Sequence, residues 1–205
     1  MLEDFNLLLN QNFYKIIKKV SKMYIHKNGL TLRKLEKSDL PLLKELKNES
    51  WFGTHNIHFV NDFDQEKWFN NLKPNSQLML VAIETINHSP VGLFKIDGID
   101  WMNRKCSEGH DTFKAHRGKG FGKLVLEAGI DFVFEVLNLN RVEAEVLENN
   151  IASQKCCSYI EYPIEGRRLK AIHKCGEYLD SIIYGFLKED WFKTNRVKNK
   201  YQGIC

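Results

Sequence analysis

Residues 116–123 read His-Arg-Gly-Lys-Gly-Phe-Gly-Lys, and they lie between a stretch typical of a β-strand and a long stretch typical of a helix. Glycines let the backbone turn tightly and point successive N–H groups into one concavity. A helix that begins directly after such a turn adds the positive end of its dipole, which favours a pyrophosphate group. The segment therefore predicts a phosphate-binding turn at the start of a helix.

Two common nucleotide-binding motifs are excluded by what surrounds this turn. A Walker loop requires Gly-Lys-Ser or Gly-Lys-Thr, whereas Lys123-Leu124 follow the last glycine here. A dinucleotide-binding fold places its glycine turn after the first strand of a parallel sheet. More than half of this chain precedes the turn, and the strands before it have an antiparallel pattern.

The sequence on both sides of the turn predicts an α+β fold. Alternation and short apolar runs predict strands over residues 30–35, 77–85, 91–99, 105–113, 141–147, 168–173 and 178–187. Helical spacing predicts helices over residues 38–47, after Asp64 as the N-cap, over 120–137 and over 150–160. We expect one domain with a mixed, mostly antiparallel sheet of about six to seven strands flanked by helices.

The two ends of the chain are expected to lie outside this domain. Residues 1–28 carry one apolar stripe at helical spacing, which includes Met23 and predicts an amphipathic N-terminal helix. We expect that stripe to dock on the domain, with a second subunit or a membrane surface as alternatives. Residues 29–192 form the expected domain, and residues 193–205 form a basic tail.

Composition limits the classes of function. The chain has 205 residues, 43% hydrophobic and 27% charged, which is typical of a globular protein. A net charge of +4 is too small and dispersed to indicate nucleic-acid binding. No apolar run approaches the ~20 residues that span a bilayer. The start of the chain lacks a signal-peptide pattern, and the five cysteines lack zinc-type spacing, so we expect reduced thiols in the cytoplasm.

The glycine turn resembles the acetyl-CoA pyrophosphate loop of the GNAT superfamily, whose pattern Gln/Arg-x-x-Gly-x-Gly/Ala is matched by Arg117, Gly120 and Gly122. Four other landmarks of that family follow the same order, at residues 32–40, 137–142, 150–155 and 166–191. The last of these resembles the branch of ribosomal-protein N-terminal, polyamine and amino-sugar acetyltransferases. The resemblance implies a GNAT-like N-acetyltransferase domain that uses acetyl-CoA as cosubstrate, without a metal.

The resemblance also implies a set of residues that bind the coenzyme. Asn150 matches a family residue that contacts the pantetheine arm or a catalytic water, although a plain helix N-cap is an equal alternative. The whole implied set is Arg117, Gly118, Lys119, Gly120, Phe121, Gly122, Lys123 and Asn150.

Transfer of an acetyl group to an amine requires a base, because a typical alkylammonium has a pKa near ~10.4. Glu108, His110 and Asp111 are the candidates on the strand before the loop, with Glu108 and His110 on one face and Asp111 on the other. Members of this branch often carry a Glu here that faces the acceptor, so Glu108 ranks ahead of His110. The alternative is a surface Glu and a hydrogen-bonded His.

The residue that would protonate the departing thiolate differs here from the family pattern. Many family members carry a Tyr on the helix after Asn150, and Cys157 occupies that position here, with Tyr159 two residues later. Cys157 is therefore a candidate catalytic residue, and simple packing is its alternative. The family's Gly-Phe after this helix is replaced by Glu161-Tyr162.

The acceptor is expected to bind within residues 51–68, where Trp51, His55 and Trp68 are candidate substrate-binding residues. His55 and His58 lack a third ligand in a metal-binding pattern, so no metal is expected. The leading hypothesis is acetylation of a small-molecule amine: a polyamine, an aryl-alkylamine or a nucleotide-linked amino sugar. Acetylation of protein N-termini and a non-catalytic acyl-CoA-binding module are alternatives, and a homodimer is compatible with the sequence.

Overall fold

An eight-stranded sheet organises the part of the chain that the computed structural model describes, residues 23–26, 28–55 and 59–194. The order of strands across the sheet is β1-β2-β3-β4-β5-β6-β8-β7. Only the β5–β6 pair is parallel among these described neighbours. The strands are β1 Met23–Ile25, β2 Leu30–Lys34, β3 Leu78–Glu84, β4 Pro90–Asp100, β5 Lys105–Thr112, β6 Arg141–Leu147, β7 Ile164–Lys174 and β8 Glu177–Leu187.

Helices cover both faces of this sheet. They are α1 Leu40–Ser50, α2 Asp62–Asn70, α3 Phe121–Asp131, α4 Ile151–Tyr159 and α5 Lys188–Lys193, and α3 continues as a π-helical turn over Phe132–Val136. The α3–α4 side packs on the larger apolar cluster, which includes Phe94 and Ile96 of β4. The α1 side packs on a second cluster that includes Val81 and Leu93. None of the described helices combines the length and apolar character that a membrane crossing requires.

The expected α+β class and all seven expected strands are confirmed, but the N-terminal prediction is wrong at Met23. Met23–Ile25 form strand β1, which pairs antiparallel with β2 from Thr31 to Arg33. The spacing of an apolar stripe does not show where a helix gives way to a short edge strand. Residues 1–22 and 195–205, which hold the rest of the expected helix and nearly all of the expected tail, lie outside the described residues.

Two smaller boundaries and one additional helix also differ from expectation. The N-cap of α2 is Asn61, because its side chain accepts a hydrogen bond from the Asp64 backbone N–H at 2.9 Å, and Asp64 reciprocates in a capping box. Strand β7 begins at Ile164 rather than at residue 168. Helix α5 follows β8 directly and was not expected.

Glu161-Tyr162, which stand where the family pattern has Gly-Phe, directly follow the C-cap of α4. Glu161 takes the left-handed conformation, φ +58°, that glycine adopts most easily after a helix. Tyr162 packs its ring against Tyr184 and Phe186, with centroids 5.5 and 5.3 Å away. Glu161 thus takes a backbone conformation that suits glycine, and Tyr162 contributes an aromatic ring to the core.

Strands β5 and β6 separate after a short parallel ladder, and this opens the middle of the sheet. Their register runs only from Lys105↔Arg141 to Ser107↔Glu143. Beyond it β5 stays paired with β4 as far as Thr112, and β6 stays paired with β8 as far as Leu147. The backbone groups that these two strands turn toward each other therefore face an opening instead of a strand.

Helix α3 rests directly on the sheet beside this opening. A Cβ on Gly129 would lie 2.2 Å from the ring of Phe94, so only glycine permits this approach of the helix to β4. The helix begins after Gly120, whose φ of +86° is the left-handed conformation. The close packing of α3 therefore places its N-terminus, with the residue 116–122 loop, at the edge of the gap.

A buried hydrogen-bond network ties the two ends of the described chain to α3. The His26 imidazole lies 2.6 Å from Asp131 through Nε2, and the Trp191 indole N–H donates to the other carboxylate oxygen at 2.7 Å. The Asn28 backbone N–H points at the second imidazole nitrogen of His26, 3.2 Å away, so Nε2 is the nitrogen that donates to Asp131. One carboxylate thus holds the segment after β1 and helix α5 together.

We predict that Asp131→Ala lowers the free energy of unfolding by about 3 kcal/mol, because it leaves two buried donors without an acceptor. Urea denaturation measures the loss. Asp190→Ala is the matched control, since Asp190 is an exposed carboxylate on α5. A loss no larger in Asp131→Ala than in the control would contradict the role of this network.

Candidate active site

Two adjoining cavities lie at the opening between β5 and β6. The loop cavity, about 440 Å³, is bordered by the 116–122 loop and the start of α4. The acceptor cavity, about 520 Å³, is bordered by α1, α2 and the middle of β5 and β6. The residues common to both cavities are Gly53, Thr54, His110, Asp111, Asn150 and Ser153. A ligand in one cavity can therefore meet a ligand in the other at these residues.

The loop before α3 is shaped for a group that its backbone contacts. Gly118 and Gly120 both have positive φ, +74° and +86°, and the position of a Cβ on Gly118 faces open space. Arg117 holds the base of the loop, since its Nε donates to the Thr112 carbonyl at 3.1 Å and its Nη1 lies 3.3 Å from Glu49. Free N–H groups at a helix start and an open concave loop suit a pyrophosphate.

Most residues of the implied coenzyme set border the loop cavity. These are Arg117, Gly118, Gly120, Phe121, Gly122 and Asn150. Lys119 is exposed and Lys123 places its ammonium 4.5 Å from the centre of the Tyr159 ring. Neither lysine is among the residues that border the loop cavity.

Asn150 connects α4 to the segment after α1. It is the N-cap of α4, because its Oδ1 accepts from the Ser153 N–H at 3.1 Å, and its Nδ2 donates to the Gly53 carbonyl at 2.9 Å. The N-cap alternative is thus observed, and the same side chain borders both cavities. Asn150 fixes the wall where the cavities meet.

The two faces of β5 carry different chemistry. His110 is the register partner of Phe94 on β4, and paired residues share a face, so His110 points to the side covered by α3 and α4. Glu108 lies two residues earlier and shares that face. Asp111 pairs with Leu93 and points to the side covered by α1. The alternation expected from the sequence is confirmed here.

Glu108 and His110 form a buried pair. The Nδ1 of His110 lies 3.3 Å from the Glu108 carboxylate, and their side chains are 6% and 1% exposed. Burial alone lowers the pKa of His110, but the charge of Glu108 and hydrogen bonds with Cys156 and Glu108 outweigh it and raise that pKa to about 10. Glu108 is thus held against an imidazolium instead of facing the acceptor cavity freely.

The thiol at this site is Cys156 and not its neighbour Cys157. Cys157 is fully buried, and burial raises the pKa of its thiol. Cys156 borders the loop cavity, as His110 does. Adjacent helical residues point about 100° apart, so the phase set by the Asn150 N-cap was the signal that distinguishes them. Cys157 packs in the core.

Asp111 is the carboxylate that faces the opening without a partner. It borders both cavities, and its carboxylate forms no hydrogen bond or ion pair with the described residues. Burial raises its pKa above the ordinary value, although the positive charges of His110, Lys47 and Arg117 act in the opposite direction. A half-buried carboxylate with a raised pKa is suited to take a proton.

The expected substrate-binding residues divide between cavity and scaffold. His55 and Trp68 border the acceptor cavity, and His55 Nε2 lies 3.0 Å from the Ser181 hydroxyl. Trp51 does not border it, and its carbonyl accepts a hydrogen bond from Lys174 at 2.6 Å. His58 lies outside the described residues, and those residues contain no cluster of three metal-binding side chains.

Sequence reasoning missed the acidic character of the acceptor cavity. Its wall includes three further carboxylates, on α2, β4 and β6, that come from distant parts of the chain: Asp64, Asp97 and Glu145. No local sequence motif predicts this group of carboxylates, because the residues come together only through the topology of the sheet.

Comparison with known proteins agrees with this geometry. A family model described as "Acetyltransferase (GNAT) domain" matches residues 29–160. The chain is 25% identical over 164 residues to a SPbeta prophage-derived uncharacterized N-acetyltransferase YokL of Bacillus subtilis, covering 80% of this chain and 92% of that protein. It is 26% identical over 159 residues to the spermidine N(1)-acetyltransferase of Vibrio cholerae, covering 74% and 88%.

A solved structure shows the same fold. The Vibrio cholerae spermidine N-acetyltransferase, in complex with CoA and spermine, superposes with a TM-score of 0.74 at 22% identity over 81% of this chain and 99% of that chain. The family model covers well over half of the chain. The glycine loop at the start of α3, the split between β5 and β6 and the family match together show that the chain belongs to the GNAT family of N-acetyltransferases.

Proposed function

We propose that this protein transfers the acetyl group of acetyl-CoA to a primary amine of a small, positively charged molecule of the polyamine class. The observation that carries the proposal is Asp111, an unpaired carboxylate where the loop cavity meets the acceptor cavity. The similarity to a spermidine acetyltransferase supports the same substrate class.

The charge of the acceptor cavity favours a cationic substrate. Apart from Glu108, which is paired with His110, four carboxylates border it against two lysines: Asp64, Asp97, Asp111 and Glu145, with Lys47 and Lys95. Lys95 is already bound to Asp97 at 2.7 Å. A substrate with several ammonium groups would meet an excess of negative charge on this wall.

The loop cavity fits coenzyme A. The pyrophosphate would lie on the N–H groups of residues 118–122 at the start of α3, and the chain would lead between β5 and β6. Bound there, the thioester supplies the activated acetyl group. Backbone N–H groups of β5 that have no strand partner on that side would polarise its carbonyl.

Asp111 would serve as the general base for the amine. A protonated amine held at the acceptor wall must lose its proton before its nitrogen attacks. The raised pKa of Asp111 makes it a stronger base than an ordinary aspartate. Solvent in the acceptor cavity would carry the proton away.

Two further features belong to the proposal. Strand β7 forms an edge of the sheet and exposes Ile164 and Leu169, which is compatible with pairing between two copies in a homodimer.

The free thiols of Cys106, Cys156, Cys157 and Cys175 are compatible with the reducing cytoplasm.

The proposed substrate class is tested by thiol release from acetyl-CoA over four kinds of acceptor: polyamines, aryl-alkylamines, nucleotide-linked amino sugars and peptides. We predict the highest kcat/KM for a polyamine, because the acceptor cavity carries excess negative charge. The advantage should shrink at high salt, which screens that charge. A preference for peptides would instead indicate protein N-terminal acetylation. Binding of acetyl-CoA without thiol release in the presence of any of these acceptors would indicate a non-catalytic binding module.

The position of the coenzyme is tested by Gly120→Asp. We predict loss of acetyl-CoA binding in calorimetry, because the new carboxylate would oppose the pyrophosphate at the start of α3. Gly176→Asp is the matched control, since Gly176 also has positive φ, +84°, but lies in the turn between β7 and β8. Equal affinity in the two variants would refute the loop as the pyrophosphate site.

The role of Asp111 is tested by Asp111→Asn, for which we predict a fall in kcat of about 10²-fold or more. The base form of Asp111 exists above its pKa, so wild-type kcat/KM should fall as pH falls through that raised pKa, and the variant should lack this acid limb. Asp62→Asn is the control, because Asp62 is 84% exposed. An unchanged profile in Asp111→Asn would exclude it as the base.

A further inference from the structure

The segment that follows α1 is held by side chains from the far side of the opening in the sheet. This acceptor segment, residues 51–55, continues α1, which packs on β3 and β4. The parallel ladder between β5 and β6 ends at Ser107↔Glu143, where the two strands separate. Beyond that point, three side chains that come after β6 in the chain reach across to the acceptor segment: Asn150, Lys174 and Ser181.

Lys174 is the charged member of this group, and it lies at the tip of the β7–β8 hairpin. It pairs with Glu177, whereas β6 pairs with β8 as far as Ser181, so the hairpin continues past the end of β6. The ammonium of Lys174 donates to the carbonyl oxygen of Trp51 at 2.6 Å and to that of Thr54. The residue is 2% exposed. The tip of the hairpin is therefore fastened to the acceptor segment by a buried charge.

The two carbonyls belong to the C-terminal end of a helical segment. A single 3₁₀ turn, Trp51–Gly53, follows α1 directly. The last carbonyls of a helix have no partner within it, and they form the negative end of the helix dipole. A buried cation at this place is therefore both hydrogen-bonded and electrostatically favoured. Because Lys174 contacts carbonyls on either side of Gly53, it fixes the path of the chain there.

Packing alone does not explain a lysine at this position. Burial lowers the pKa of Lys174, because the ammonium loses its hydration. Replacement of buried charge by apolar side chains of similar volume is often neutral or stabilising. An apolar side chain could fill the same space, but it could not hold two carbonyls of the acceptor segment in place. The position of those carbonyls is thus the property that the lysine secures.

The residues that Lys174 holds lie where the two cavities meet. Gly53 and Thr54 border both cavities, and His55 borders the acceptor cavity. Asn150 Nδ2 donates to the Gly53 carbonyl at 2.9 Å, and a Cβ on Gly53 would lie 3.0 Å from that nitrogen. Lys174 itself is not among the residues described at either cavity. Any effect of Lys174 on the reaction must therefore pass through the acceptor segment.

We propose that Lys174 is a positioning residue for acetyl transfer: its ammonium holds Gly53 and Thr54 across the opening, and this sets how closely an amine in the acceptor cavity approaches a thioester in the loop cavity. This inference rests on the proposed function for the reaction itself. Reacting atoms must lie about 3–3.5 Å apart, and a displacement of about 1 Å can lower the rate by about 10²-fold. A small movement of the acceptor segment would therefore be visible in the rate.

The proposal is tested by Lys174→Met, which keeps a long side chain and removes the donor. We predict that kcat/KM for the best amine acceptor of the wild-type protein falls by about 10²-fold. The affinity for acetyl-CoA should stay unchanged in calorimetry, because the glycine loop is held separately, through Arg117 at the Thr112 carbonyl. Lys170→Met is the matched control and should keep the wild-type rate, since Lys170 is an exposed lysine on the same strand.

Urea denaturation separates positioning from a general structural role. We predict a urea midpoint for Lys174→Met close to that of Lys170→Met, since the loss of two hydrogen bonds is offset by the removal of a buried charge. A rate that falls together with the urea midpoint and the affinity for acetyl-CoA would overturn the proposal, because Lys174 would then support the fold as a whole. Equal values of kcat/KM in the two variants would also overturn it.

The outcomes distinguish this inference from the proposed function. A wild-type protein that prefers peptides or another class of amine, and that loses this activity in Lys174→Met alone, would support the inference and refute the polyamine class. Polyamine acetylation that is insensitive to Lys174→Met would overturn the inference and leave the proposed function intact. Absence of thiol release by the wild-type protein with every acceptor would overturn both.

Discussion

The early end of the parallel ladder between β5 and β6 is the constraint on which the rest of this structure depends. Three register pairs hold the strands together, and beyond Ser107↔Glu143 each strand follows its antiparallel neighbour away from the other. Buried backbone N–H and C=O groups require partners, so a sheet that opens in its middle needs a ligand or solvent there. The loop, both cavities and the reactive side chains are all arranged around that gap.

The elements around the gap are held by contacts that tolerate little change. Helix α3 touches β4 at Gly129, and its far end is bound to both ends of the described chain through Asp131. The wall opposite is held by Asn150 and by Lys174, whose ammonium donates to the Trp51 carbonyl. These contacts fix the start of α3 relative to β5. The site is thus preorganised by the core and does not depend on a single loop.

Local patterns predicted most of the fold. The alternation of β2 to β6, the glycine turn and the N-cap Asn150 each act within a few residues, and the structure has the expected elements at those places. Met23 was misassigned because a single apolar residue of an edge strand fits the spacing of a helical stripe by chance. The network of His26, Asp131 and Trp191 joins residues more than a hundred positions apart, which no local pattern encodes.

The candidate site was harder to predict than the fold for the same reason. Alternation predicted that Glu108 and His110 share one face of β5 and that Asp111 lies on the other, but what each face meets depends on where the helices pack. Cys156 and Cys157 differ by one residue, and only the helical phase decides which thiol borders the loop cavity. A structure with bound coenzyme A tests the central claim most directly. The account requires its pyrophosphate on the N–H groups of residues 118–122 and its sulfur in the gap between β5 and β6; a coenzyme bound elsewhere, or a gap filled by the protein's own side chains, would contradict it.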